Sequence, residues 1–90
     1  MHVVRWRKAA VLTMAIVKPK KGDRLSRREV QVLGFVAKGF SNKLIADELG
    51  ISAHTAKFHV INILIKVDAA CRTEAAVRFV RDYGFAAIPA

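Results

Sequence analysis

The side chains of this sequence that could act on another molecule are mostly hydrogen-bond donors, and they concentrate between Ser41 and Lys66. Ser41, Asn42 and Lys43 stand together, and Ser52, Thr55, Lys57, His59, Asn62 and Lys66 follow at short intervals. Hydroxyl, amide and ammonium groups so spaced suit non-covalent work on phosphate oxygens and base edges. Covalent chemistry lacks its parts. There is no nucleophile–base constellation, no paired-carboxylate motif and no glycine-rich phosphate loop. Asp47 and Glu48 read as a solvated helix face. His54 and His59 lie five apart, about 140° around a helix, and make no metal pair. With Cys71 as the sole cysteine, neither a zinc set nor an internal disulfide arises. That thiol reads as packed or tolerated. The expectation is a chain with no enzymatic activity, cofactor, metal or small-molecule ligand.

Such donors need a rigid mount. Ser41 to Val67 reads as a short helix, a glycine-centred turn and a longer helix over 53–67, with the motif spanning 41–60. Ile45, Ala46 and Leu49 form the inner stripe of the short helix, and small Ala46 permits a close crossing. Gly50 allows the positive φ of a tight turn, Ile51 plugs the corner, and Ser52 caps the longer helix. On a helical wheel, Ala56, Val60, Ile63, Leu64 and Val67 share one face, toward the core. Thr55, Phe58, Ile61, Asn62 and Ile65 lie opposite, flanked by Lys57, His59 and Lys66. A helix buried on one side only has no use for Phe58, Ile61 and Ile65 on the other, so the outer face is meant for a partner. Ser52 and Thr55 open this helix, where free backbone N–H groups favour an anion. Lys57 and Lys66 add charge, and Asn62 can pair with a base edge or a phosphate.

Two further helices brace this pair. Ser26 and Glu29 have capping-box spacing, and Leu25 and Val30 have that of a hydrophobic staple. Val32, Leu33, Val36 and Ala37 make the buried stripe of the helix that follows, and Gly39 closes it. The last helix runs over 72–83 and stops at Gly84. Its apolar residues Ala75, Ala76, Phe79, Val80 and Tyr83 span a wide arc, with Val77 beyond it, which predicts a second contact with another chain.

Ninety residues, 53% hydrophobic, make one small domain that buries a core without staples. The net charge of +9 favours a polyanionic partner. Seven of the sixteen Lys and Arg fall in residues 1–24, against Asp23 alone, so 1–24 reads as a basic and apolar arm with a linker at Lys18 to Arg24. That arm is expected either to reach DNA or to be solvated; Phe58, Ile61 and Ile65 could be groove contacts, or the segment Val11–Val17 could cover them, or pack on the last helix, in the absence of DNA. The longest uncharged run, Ala9 to Val17, is far short of the roughly 20 residues of a span. Lys18-Pro19-Lys20-Lys21 stands where a signal peptide would need small residues. A cytoplasmic location is expected.

The ordered strings LSRRE, GFSNKLIA, ISAHTAKFHVINI and RTEA together resemble the LuxR-type (GerE-type) DNA-binding domain, from Leu25 to about Phe85. The resemblance implies an all-α, four-helix helix-turn-helix domain over 25–86 that regulates transcription by binding specific double-stranded DNA. It also implies a homodimer through the last helix, with Ala75, Val77, Arg78 and Arg81 as interface candidates. Lys57 matches the groove-facing lysine, with Phe58 beside it. Thr55, His59, Asn62 and Lys66 match positions that touch backbone or bases, and Ser41, Asn42 and Lys43 match a helix start that approaches phosphates. Leu44 stands where the family usually has Glu, which removes a capping box on Ser41. Ala56 replaces a common Val. Ile61 and Ile65 replace residues that are often polar, and Ile61 could touch a thymine methyl. Family members usually carry this domain after a sensor domain, so the expectation here is a stand-alone regulator or one controlled by a separate protein. The alternative function is a protein-interaction module of this fold, docking another regulator or RNA polymerase through the apolar face of the 53–67 helix. Residues 3–21 as a membrane-surface anchor would add to either reading.

Overall fold

The computed structural model describes residues 18–90, and the expectations for residues 1–17, the packing of Val11–Val17 included, lie outside that range. Four helices follow in order, α1 (Arg27–Lys38), α2 (Asn42–Leu49), α3 (Ala53–Lys66) and α4 (Arg72–Tyr83), then a short 3-10 turn at Phe85–Ala87. No strand occurs among the described residues, and the all-α expectation holds.

The starts of α1, α2 and α3 are set by serines. Ser26 accepts from the Glu29 N–H at 3.1 Å while the Glu29 carboxylate accepts from the Ser26 N–H at 2.8 Å, a complete capping box. Ser41 accepts from the Leu44 N–H at 3.2 Å, and Leu44 has no group to return the bond. Ser52 accepts from the Thr55 N–H at 3.0 Å, and its hydroxyl donates to that of Thr55.

The ends of α1, α2 and α3 share one device. At the end of α1, the Phe40 N–H reaches back to Phe35 O and the Gly39 N–H to Val36 O, the two bonds of a Schellman motif. Gly39 supplies the left-handed residue at φ +95°, and the rings of Phe35 and Phe40 stack at 5.3 Å. Gly50 does the same for α2 at φ +67°, with Ile51 N–H on Ala46 O. At the end of α3 the left-handed residue is Asp68, φ +56°, between the bonds Ala69 N–H to Leu64 O and Asp68 N–H to Ile65 O.

One core joins the helices: Val32, Leu33 and Val36 of α1, Ile45 and Ala46 of α2, Ala56, Val60 and Ile63 of α3, and Ala75 and Phe79 of α4. Ala46 of α2 and Ala56 of α3 are both buried, and α2 packs on α3. α1 packs on both α3 and α4 and so seats the longer helix of the turn motif. Residues 20–24, read as linker, are fastened to the end of α3: the Gly22 N–H donates to Lys66 O at 2.8 Å, and Lys21 pairs with Asp68 at 3.2 Å.

Ala75 needs correction. It was expected at an interface between copies, yet it is 1% exposed within this chain. α4 turns Ala75 and Phe79, four residues apart, onto the core. The wide apolar arc concealed which side faces inward.

Candidate nucleic-acid interface

α3 presents an open face. Ser52, Thr55 and Lys57 are exposed around its first turn, and His54 stands beside them. Further along, Phe58, Ile61 and Ile65 are 40%, 44% and 42% exposed, and Asn62 is half-buried. Among the described residues neither Lys57 nor Lys43 takes part in an ion pair. Ser41 and Lys43 lie exposed at the start of α2, and Asn42 is half-buried there. The first turns of α2 and α3 both lack acidic side chains, so nothing offsets the positive end of either backbone dipole. The expected donors therefore gather on the starts of α2 and α3 and along the outer side of α3.

Lys66 is the exception. It was expected to contact DNA, but its ammonium lies 2.8 Å from Glu29 Oε1, with the two side chains only 17% and 6% exposed. It also donates to Arg24 O at 3.4 Å. Its charge is spent inside the molecule, on the carboxylate that completes the α1 capping box. Burial alone would raise the Glu29 carboxyl. The hydrogen bond from Lys66, the Ser26 N–H and the Lys66 charge together outweigh burial and hold it below its ordinary value of 4.5. Periodicity could not reveal this pair, because its members lie 37 residues apart.

His59 on α3 is half-buried, within reach of the charges of Arg28 and Glu29 of α1. Burial holds its imidazole below the ordinary 6.5; Glu29 opposes that shift, and Arg28 adds to it. A neutral imidazole at pH 7 offers a hydrogen bond and no fixed charge.

Two arginines outside the expected donor set shape the face. Arg72 at the head of α4 donates from Nη1 to Asn42 Oδ1 at 2.5 Å and from Nη2 to Phe40 O at 2.8 Å. Arg78, expected at an interface, donates to Val67 O at the end of α3 and pairs with Glu74 at 2.9 Å. It thus serves this chain's own α3, where a cation suits the negative end of the helix dipole. The remaining outer stripe of α4, Thr73, Val77 and Arg81, is exposed. Beside it runs a shallow apolar groove lined by Ala37, Ala76, Val77, Val80, Phe85 and Ile88. Among the described residues no group of three or more His, Cys, Asp or Glu is placed to hold a metal ion. No described helix is long and apolar enough to cross a membrane.

Residues 23–79 match the family model for bacterial regulatory proteins of the luxR family (GerE). The transcriptional regulatory protein LiaR of Bacillus subtilis is 46% identical over 55 residues, 61% of this chain and 26% of LiaR. The nitrate/nitrite response regulator protein NarP of Escherichia coli is 42% identical over 60 residues, 67% of this chain and 28% of NarP. The HTH-type transcriptional regulator MalT of Vibrio campbellii is 47% identical over 53 residues, 59% of this chain and 6% of MalT. The matches thus cover about a quarter or less of these relatives.

Proposed function

Because this chain belongs to the luxR family of bacterial regulatory proteins, we propose that it binds specific sequences of double-stranded DNA and regulates transcription in the cytoplasm. α3 enters the major groove, and α2 crosses the phosphate backbone. The observation that carries the reading is the exposed start of α3, where Ser52, Thr55 and Lys57 surround a helix N-terminus without acids. Lys57, exposed and outside any internal ion pair among the described residues, is the groove-directed cation. Ser41, Asn42 and Lys43 contact phosphates. Phe58 and Ile61 make apolar contact with base edges, thymine methyls above all. Two copies join along the outer stripe of α4, and the pair reads two half-sites.

Selection from a random duplex pool followed by salt titration tests this. The selected sequence binds the wild type with an affinity that falls linearly in log–log form as salt rises. Lys57→Ala weakens binding and changes the preferred sequence. Equal affinity for all duplexes in both proteins overturns the reading.

One observation favours a second reading. Phe58, Ile61 and Ile65 together expose an apolar strip on α3, which suits a protein surface such as another regulator or RNA polymerase. In that case Phe58→Ala abolishes partner binding, and Lys57→Ala changes little.

A further inference from the structure

We infer that Arg72 is a positioning residue for DNA binding: it fixes the Asn42 side-chain amide so that its N–H pair faces a backbone phosphate. The inference rests on the DNA-binding reading above and concerns how the α2 side of that face is built.

Arg72 is the first residue of α4, and Asn42 the first of α2. The 2.5 Å bond between them joins the Arg72 guanidinium to the Asn42 amide oxygen. A guanidinium has donors only, so the oxygen of the amide is the atom that can face it. The NH2 group must then turn the other way. Among the described residues no acceptor takes the Asn42 N–H pair. No buried side-chain nitrogen or oxygen there lacks a partner either, so the Asn42 nitrogen is not sealed off from solvent. It stands at the start of the helix that crosses the backbone in this motif, between exposed Ser41 and Lys43.

The second arm of the fork ties the same guanidinium to Phe40 O at 2.8 Å. Phe40 is the residue that completes the Schellman turn of α1. One side chain therefore fixes both the corner leading into α2 and the amide at its head. Lysine has no planar fork with which to hold both acceptors in this geometry. An amide already locked in its binding orientation loses less rotamer freedom when a phosphate arrives.

The test uses the full chain with its selected duplex and a random duplex, and follows melting temperature beside affinity. Asn42→Asp keeps an acceptor for Arg72 and puts a carboxylate oxygen where the donors were. It should stay folded, yet bind both duplexes at least tenfold more weakly. Asn42→Ala should lose about threefold to tenfold, the range of one hydrogen bond. Arg72→Met should lose a similar factor, and adding Asn42→Ala to it should cost little more, because the amide acts only when held. Additive losses, or wild-type binding by Asn42→Asp, overturn the inference. If Arg72→Met does not fold, Arg72→Lys, which keeps the charge without the planar fork, takes its place, and wild-type binding by it overturns the inference. Failure of the wild type to bind any duplex overturns the DNA-binding reading and the assignment with it. Binding by the wild type with no effect at Asn42 overturns the assignment alone.

Discussion

Two lysines on α3 have opposite fates, and the difference lies in their surroundings. Lys57 keeps its charge in solvent. Lys66 gives its charge to Glu29, largely buried and already bonded to the Ser26 N–H. Removing one partner of such a pair leaves the other uncompensated, which costs about 3 kcal/mol. Lys66→Met is therefore expected to lose stability of that order in urea melts at pH 7 while leaving the salt slope of DNA binding unchanged. A slope reduced by about 1 would return Lys66 to the phosphate contacts. His59 gives a second residue-scale expectation. Its folded pKa lies below the unfolded one, so the unfolded chain takes the proton first as pH falls. Stability is therefore whole above about 6.5 and declines as pH drops from there toward the folded value. Melting temperatures from pH 7.5 to 5.5 should fall, and His59→Gln should flatten the decline. Glu29, also depressed, withdraws its contribution at lower pH, as the medium falls below 4.5 and through its folded value. The sequence showed the capping half of Glu29, since its partner lies three residues away. The ion pair and the Arg72 fork join residues 37 and 30 apart, which no local spacing reports.

At the scale of elements, the helix boundaries were legible because they are chemical. Serines open α1, α2 and α3, and Gly39 and Gly50 close the first two at positive φ. The end of α3 was harder to see. Asp68 takes the left-handed place there, and Asp is one of the few non-glycine residues that tolerate it. Its pair with Lys21 is exposed on both sides and adds little. The backbone geometry therefore decides what a substitution does. Asp68→Gly should be neutral or stabilising, whereas Asp68→Val should cost about 1–2 kcal/mol. Equal denaturation midpoints for the two variants would show that the left-handed turn is not what closes α3. The inner face of α3 was also plain from its period. On α4 the period was ambiguous, because small Ala75 and large Phe79 both face the core and Val77 does not.

For the molecule as a whole, the question is what the outer side of α4 is for. Its inner side is used up on α1 through Ala75 and Phe79, and Arg78 is bonded to the end of α3. What remains is Thr73, Val77 and Arg81, with Val77 62% exposed beside the apolar groove and Phe85 78% exposed at its edge. Arg72, at the head of the same helix, holds the start of α2. Two copies meeting along this stripe would set the separation of two α3 helices, and half-sites read by such a pair lie about 34 Å apart or a multiple of that. A carboxylate at the centre of the stripe opposes its own image across a two-fold contact. Val77→Asp is therefore expected to sediment as a monomer at concentrations where the wild type is a dimer. Its affinity for a single half-site should equal that of the wild type, since Val77 lies on α4 rather than α3 and outside the core. On a duplex with two half-sites it should lose the cooperative gain and bind as two independent copies. A variant that still dimerises, or a wild type that is monomeric on and off DNA, places the partner of α4 elsewhere.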